Sequence, residues 1–131
     1  MSRPYVILVV DDDREIVWIL RQALAAPGFT ILTAHDPYTA IRTLVERSVD
    51  LLITDIRMAE LNGFELARQA KLMRPYLHVI YMSGYYSDPP ERLRPIYGAL
   101  LRKPFRIREL LREVERELGV EKPVGWASSS D

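Results

Sequence analysis

Apolar residues along the chain form two patterns that alternate with each other: short continuous runs, and longer segments in which they recur with helical spacing. Five short runs rich in β-branched or aliphatic residues are typical of buried strands; they lie at Tyr5 to Val10, Phe29 to Thr33, Leu51 to Thr54, Val79 to Met82 and Ala99 to Leu101. Between these runs, apolar residues recur every three or four positions, which is typical of amphipathic helices. The pattern therefore predicts strands that alternate with helices.

Capping and stop residues mark where these helices begin and end. Asp12 or Asp13 precedes the first helix, Asp36 and Pro37 begin the second, and Gly119 follows the last. The predicted helices run from Arg14 to Ala25, from Pro37 onwards, from Phe64 to Met73 and from Ile107 to Leu118. Their predicted buried faces are Ile16, Ile19, Leu20 and Leu24 in the first, Ala40, Ile41, Leu44 and Val45 in the second, and Phe64, Leu66, Ala67 and Ala70 in the third, with Leu72 as a further candidate.

Prolines interrupt the interval between the fourth and fifth strands. Because Pro89, Pro90 and Pro95 each lack a backbone donor, we expect only a short or distorted fourth helix there. Strands that alternate with helices imply parallel strands, right-handed crossovers and a sheet covered on both faces. The sequence thus predicts one α/β domain with a doubly wound, five-stranded parallel sheet over residues 1–119, followed by a flexible tail over 120–131.

Composition and charge narrow the classes of protein to which the chain can belong. With 131 residues, 48% of them hydrophobic and 27% charged, the chain has the composition of a soluble globular domain. Eighteen basic residues balance eighteen acidic ones, so bulk charge favours neither nucleic acid nor an anionic membrane. The absence of cysteine excludes disulfides and thiolate sites and fits a reducing compartment. We therefore expect a cytoplasmic protein with no direct binding to nucleic acid or membrane.

Polar and charged side chains follow the predicted strands at the edge of the sheet where ligands bind in such folds. Asp11 to Asp13 follow the first strand, Asp55 the third, Ser83 the fourth and Lys103 the fifth. Carboxylates brought together repel one another unless a hard cation with oxygen ligands lies between them, and Mg²⁺ is the expected ion. Asp55 is then a credible nucleophile for an aspartyl phosphate, with the lysine and the hydroxyl offsetting phosphoryl charge.

Four strings at these strand ends resemble the receiver domains of response regulators in two-component signalling, including the chemotaxis regulators. They are VVDDD, LLITDIRMAELNG, YMSG and LLRKPF, and the resemblance extends over about Tyr5 to Leu118. It implies a flavodoxin-like sheet of strand order 2-1-3-4-5. It also implies a signalling module rather than an enzyme, with a sensor histidine kinase or phosphotransfer protein as phosphodonor. The output partner is not identified by the sequence, and a homodimer stays open.

The resemblance assigns the metal and the phosphoryl group to particular residues. It implies that Asp11 and Asp12 hold Mg²⁺ together with Asp55 and the backbone carbonyl of Arg57. Asp55 matches the aspartate that receives the phosphoryl group from a phosphohistidine. Asp13 is left out of this site because an aspartate at a helix start is more often a cap.

The remaining assignments concern the switch and the backbone around it. Ser83 matches the hydroxyl that moves toward the phosphoryl oxygens, and Lys103 matches the lysine that pairs with one of them. Gly63 is expected to provide a permissive backbone turn, and Pro104 a rigid corner through a cis peptide bond.

The chain departs from the family pattern at several positions. Ala59 stands where receivers commonly have proline, and Asn62 where they commonly have aspartate, which predicts a less rigid loop. Leu100 stands where they commonly have the aromatic residue whose rotamer reports phosphorylation. Arg57 and Tyr85 border the path of the hydrolytic water in receivers, and we hypothesise that their bulk slows dephosphorylation, the alternative being that both face solvent.

Three other functions compete with this interpretation. A degenerate receiver would bind partners without phosphorylation; Ala59 and Leu100 favour it, whereas the acidic pair, Asp55 and Lys103 oppose it. A Mg²⁺-dependent phosphatase with an aspartate nucleophile usually carries a second aspartate near the nucleophile on the first strand and a cap domain, for which this chain is too short. A nucleotide-binding domain is disfavoured because no glycine-rich phosphate loop follows the first strand.

Overall fold

The computed structural model describes residues 3–84 and 96–119. The elements, in chain order, are β1 (Val6–Val10), α1 (Arg14–Ala25), β2 (Thr30–Ala34), α2 (Pro37–Glu46), β3 (Leu51–Asp55), α3 (Gly63–Met73), β4 (His78–Ser83), β5 (Gly98–Arg102) and α4 (Ile107–Leu118). All five predicted strands are present, and no strand end differs from its predicted position by more than one residue. The predicted short fourth helix and the predicted tail lie outside the described residues, and α4 is the helix predicted as the last.

The five strands form one parallel sheet in the order β2-β1-β3-β4-β5, which confirms the predicted doubly wound fold. The central strand β3 is buried along its whole length, as expected for a parallel strand covered by helices on both faces. Since all strands run in the same direction, the residues that follow them gather at one edge of the sheet. The ends of β1, β3, β4 and β5 supply the candidate site there.

Side-chain caps fix where the first three helices begin. Asp13, rather than Asp12, caps α1 by accepting from the backbone N–H of Glu15 at 3.0 Å. Asp36 caps α2 as predicted, accepting from the N–H and the hydroxyl of Thr39, both at 2.8 Å. Gly119 ends α4 in the left-handed conformation at φ 66°, as the sequence predicts for a glycine at this position.

Two hydrophobic clusters cover the two faces of the sheet. One joins the sheet to α2 and α3, and the other joins it to α1 and α4. Three residues that were predicted to be buried are exposed instead, namely Ile19 at 39%, Val45 at 63% and Leu72 at 78%. In α1 the buried residues are Val17, Leu20 and Leu24. The helices α1, α2 and α3 each have more apolar residues than their contact with the sheet can cover, so the rotation of each helix selects which of them are buried.

Within the described part of the chain, every helix is too short or too polar to cross a bilayer.

Candidate functional site

The residues that end four strands lie together at the carboxyl edge of the sheet. Asp11 directly follows β1, Asp55 and Ser83 are the last residues of β3 and β4, and Lys103 follows β5. Asp11, Asp55 and Ser83 are almost completely buried. Hydrophobic strands therefore hold a cluster of polar groups beneath the surface, where their charges interact strongly with one another.

The Lys103 ammonium bridges two carboxylates of this cluster. Its Nζ donates to Asp11 Oδ2 at 2.9 Å and to Asp55 Oδ1 at 3.1 Å. The Lys103 side chain retains 22% exposure, whereas the side chains of Asp11 and Asp55 retain 1% and 10%. The fold thus brings together the lysine that follows β5, the aspartate that follows β1 and the aspartate that ends β3.

A third carboxylate completes the acidic group. Asp12 is exposed, and one carboxylate oxygen each from Asp11, Asp12 and Asp55 lie within 4.8 Å of one another. Three acidic oxygens at this spacing match the ligand set that a hard divalent cation prefers. With three carboxylates and one ammonium, the pocket has an excess of negative charge that a cation would reduce.

Burial and charge change the protonation of these groups. Burial raises the pKa of the Asp11 carboxyl above its usual range, against the hydrogen bonds from Asp13 N–H and Lys103. Burial and the charge of Asp11 raise the pKa of the Asp55 carboxyl, against the attraction of Lys103. For Lys103, burial alone would lower the pKa, but hydrogen bonds and charge interactions with the two acids raise it overall. The lysine is therefore held charged. Because the two acids share one ammonium, a further cation would stabilise their ionised forms.

Backbone hydrogen bonds hold the strand ends in register. Asp11 N–H donates to Ala34 O at 3.2 Å, and Lys103 N–H donates to Ser83 O at 2.7 Å. Asp13 N–H donates to Asp11 Oδ1 at 3.0 Å, which orients that carboxylate while Asp13 caps α1. The position of the acidic group is therefore fixed by the sheet and by the start of α1.

Gly63 lies against the backbone of the candidate nucleophile. A Cβ added at Gly63 would lie 2.3 Å from Asp55 O and 2.9 Å from Ile56 Cα. Gly63 is not among the described residues with positive φ, which differs from the permissive turn expected from the sequence. The glycine is required for close approach rather than for an unusual backbone conformation.

The other residues around the pocket agree in part with the sequence expectations. Asn62, which replaces the usual aspartate, caps α3 by accepting from Glu65 N–H at 2.9 Å, so the substitution preserves a capped helix start. The Lys103–Pro104 peptide bond is cis, as the resemblance implied. The Arg57 side chain is exposed, and Tyr85 lies outside the described residues. The hypothesis about dephosphorylation stays a prediction.

Tyr81 is a residue of this region that the sequence interpretation missed. It lies in β4, two residues before Ser83, and is only 1% exposed. Its strand partner on β5 is Leu100, the position that lacks the usual aromatic residue. The available signal was the YMSG string itself, in which a tyrosine interrupts an otherwise aliphatic strand.

An apolar pocket opens beside Lys103. Residues from α1 and from the segment that leads into α4 line it, namely Ile16, Ile19, Leu20, Pro104, Phe105 and Ile107. The exposed Ile19 therefore contributes to a surface next to the acidic group rather than to the core.

Comparison with known proteins gives consistent matches. The family model described as the response regulator receiver domain matches residues 7–115. The chain is 39% identical over 119 residues to the DNA-binding transcriptional regulator NtrC of Azospirillum brasilense, covering 89% of this chain and 25% of that protein. It is 33% identical over 114 residues to the response regulator receiver protein CpdR of Brucella abortus (strain 2308), covering 86% of this chain and 95% of that protein. The chain thus spans about a quarter of its NtrC relatives.

Solved structures with the same fold agree with these matches. A response regulator receiver domain protein (CheY-like) from Methanospirillum hungatei JF-1 superimposes with a TM-score of 0.84 at 26% identity, covering 89% of this chain and 95% of that one. The response regulator protein TrrA from Thermotoga maritima, solved in complex with Mg(2+)-BeF, gives a TM-score of 0.78 at 27% identity, covering 86% and 97%.

Proposed function

The chain belongs to the response regulator receiver domain family, and on that premise we propose that it accepts a phosphoryl group on Asp55 and thereby switches its binding to a partner. One observation carries this proposal: the Lys103 ammonium contacts both Asp11 and Asp55 in a pocket of three carboxylates. The pocket thus contains a candidate nucleophile in Asp55, a cation in Lys103 that is placed to pair with a phosphoryl oxygen, and a set of acidic ligands.

The acidic group fits Mg²⁺ by its chemistry and spacing. Asp11, Asp12 and Asp55 would hold the ion, with the backbone carbonyl of Arg57 as a further ligand. Burial raises the pKa of Asp11 and Asp55 despite their contacts with Lys103, so a further cation beside them would favour the ionised carboxylates. Bound Mg²⁺ would neutralise negative charge on the phosphoryl oxygens and on its carboxylate ligands. TrrA, a response regulator protein of the same fold, was solved in complex with Mg(2+)-BeF, which supports Mg²⁺ as the ion.

The chemical step is an in-line displacement at phosphorus. An Asp55 carboxylate oxygen forms the new bond to phosphorus while the phosphorus–nitrogen bond to the donor histidine breaks, and the imidazole leaves with that electron pair. Lys103 then exchanges its contact with Asp55 for one with a phosphoryl oxygen. The hydroxyl of Ser83 moves toward another oxygen, which shifts the equilibrium between two loop arrangements.

The partners follow from the family and are part of the proposal. The phosphodonor would be a sensor histidine kinase or a phosphotransfer protein. The apolar pocket beside Lys103 supports such an encounter, because it offers a protein surface within reach of Asp55. Either the domain works by itself, as its match to nearly the whole of CpdR suggests, or it is part of a longer regulator like NtrC. In both cases it would act in the cytoplasm as a signalling module.

The proposal is tested by phosphorylating the purified protein with acetyl phosphate, with and without Mg²⁺, and reading intact mass. We expect a single Mg²⁺-dependent phosphoryl adduct that is absent from the Asp55→Asn variant. Asp13→Asn is the matched control, because it alters a neighbouring acid that caps α1 and keeps a good cap. The control should still form the adduct.

The alternative function gives a different result in the same experiment. If the folded protein binds Mg²⁺ but never forms an adduct, it is a receiver that binds partners without phosphorylation. An adduct that persists in Asp55→Asn would instead assign the phosphoryl group to another residue.

A further inference from the structure

Tyr81 is a fully buried aromatic residue at the centre of the sheet face that packs on α3. In β4 it pairs with Thr54 of β3 on one side and with Leu100 of β5 on the other. Its ring lies 5.2 Å from the ring of Phe64 in α3, centroid to centroid, with the planes tilted by 46°. An aromatic side chain therefore fills the space beside Leu100, on the neighbouring strand.

The hydroxyl of Tyr81 makes a contact that leaves the strand. It accepts a hydrogen bond of 3.2 Å from the backbone N–H of Tyr97, directly before β5 begins at Gly98. Burial raises the pKa of the Tyr81 phenol to about 12, so the hydroxyl stays neutral in solution at ordinary pH. The β4 side chain thus holds the backbone at the entry to β5.

Tyr81 also lies next to the candidate switch residue. Val79 and Tyr81 belong to the hydrophobic cluster on the α3 side, whereas Ile80 and Met82 belong to the opposite cluster. Because side chains alternate along a strand, Ser83 points to the same side as Tyr81. Ser83 therefore follows Tyr81 by two residues on the same face of β4.

We propose that Tyr81 is a positioning residue of the switch, which carries the movement of Ser83 through its ring and hydroxyl to the backbone of Tyr97. The inference rests on the proposed function, since it needs Ser83 to move when Asp55 is phosphorylated. The inference assigns this role to an aromatic residue of β4 beside Leu100. The aliphatic side chain of Leu100 has no polar group that could make such a hydrogen bond to the start of β5.

The hydrogen bond between Tyr97 and Tyr81 is linked to the surface of the molecule through the side chain of Tyr97. Lys71 Nζ lies 5.5 Å from the centroid of the Tyr97 ring and donates to Pro75 O at 2.8 Å and Leu77 O at 2.9 Å. Tyr97 is therefore held between Tyr81 and the turn that leads into β4. Its neighbour Ile96 is 37% exposed, so a shift of this backbone alters a surface that a partner can contact.

The test measures hydrogen exchange of the Tyr97 amide by NMR in the full chain, before and after phosphorylation with acetyl phosphate and Mg²⁺. In the wild type we expect the exchange rate of this amide to change by at least threefold on phosphorylation. Tyr97→Phe is the matched control, because it keeps both the ring and the backbone donor, and it should show the same change. Tyr81→Phe deletes only the acceptor, so the change should be lost although intact mass still shows a phosphoryl adduct.

The outcomes separate this inference from the proposed function. If the phosphorylated wild type shows no change at the Tyr97 amide, or if Tyr81→Phe shows the same change as the wild type, the inference is wrong while the receiver function stands. If no adduct forms in the wild type, the receiver function is wrong, and with it the switch. If Tyr81→Phe folds poorly, the wild-type measurement by itself can still refute the inference.

Discussion

A single methyl group at Gly63 should displace the backbone of Asp55 in the candidate site. The start of α3 packs so closely on the end of β3 that the Cβ of Gly63→Ala would lie 2.3 Å from Asp55 O. The neighbouring hydrogen bond from Gly63 N–H to Ile56 O, at 2.8 Å, holds the two backbones at this distance. The substitution therefore forces either α3 or the segment that carries Asp55 to move.

The size of the effect follows from the shift that is needed. A normal contact requires the two atoms to separate by about 1 Å more, and overpacking of this kind costs about 1–3 kcal/mol in the free energy of unfolding. Weakening the Gly63–Ile56 hydrogen bond adds about 1 kcal/mol, while the lower entropy of the unfolded alanine chain offsets about 0.4–1 kcal/mol. The net loss of about 1–3 kcal/mol corresponds to a melting temperature lower by roughly 4–12 °C for a domain of this length.

Gly84→Ala provides the control within the same chain. Among the residues that the structure describes, none has a heavy atom within 4 Å of a Cβ added at Gly84, although this glycine directly follows β4, which ends in the site. Thermal unfolding followed by circular dichroism should therefore place Gly84→Ala near the wild type and Gly63→Ala clearly below it. Because Asp55 moves with its backbone, Gly63→Ala should also be phosphorylated by acetyl phosphate several-fold more slowly. Equal melting temperatures for Gly63→Ala and the wild type would refute the close-packing argument.

Three further changes test the charges of the molecule. The raised pKa of Asp55 means that its ionised form lowers the stability of the folded state, so Asp55→Asn should raise the melting temperature at pH 7 without Mg²⁺. This gain should shrink as the pH falls through the pKa of the Asp55 carboxyl. A lower melting temperature for the variant at pH 7 would contradict the prediction. Lys103→Met leaves two buried carboxylates without their ammonium, which should lower the free energy of unfolding, measured in urea, by up to about 3 kcal/mol. The same variant should be phosphorylated at least tenfold more slowly. An unchanged phosphorylation rate would remove Lys103 from the mechanism. Asp36→Ala loses the cap to Thr39 and should cost about 1 kcal/mol at pH 7. Because the Asp36 pKa is lowered, that cost should decrease below about pH 3.8 as the carboxyl is protonated, and a pH-independent cost would argue against the ionised cap.

The sequence predicted the order and type of the described elements well, because each carries a local signal. Asp36 with Pro37 marks a helix start, and Gly119 marks a helix end, regardless of what surrounds them. Strand positions followed from apolar runs that strands buried on both faces require. The strand order came instead from the family resemblance, since the parallel arrangement alone allows several orders.

Helix faces were predicted less well, for a physical reason. Ile19, Val45 and Leu72 are apolar and adjacent to the buried stripes, so periodicity cannot exclude them from the core. The rotation of each helix is set by its packing on the sheet, and the residues left over become surface. For Ile19 that surface borders the pocket beside Lys103.

The sequence by itself determined which polar residues end the strands, and hence that Asp11, Asp55, Ser83 and Lys103 gather at one edge of the sheet. Only the tertiary structure decided the contacts between them, because residues from β1, β3 and the end of β5 are distant in the chain and meet through packing. The bridge from Lys103 to two acids is one such contact, and the clearance at Gly63 is another. So is the hydrogen bond that Tyr97 N–H donates to the Tyr81 hydroxyl, which no local pattern specifies since it joins a buried side chain of β4 to a backbone donor just before β5.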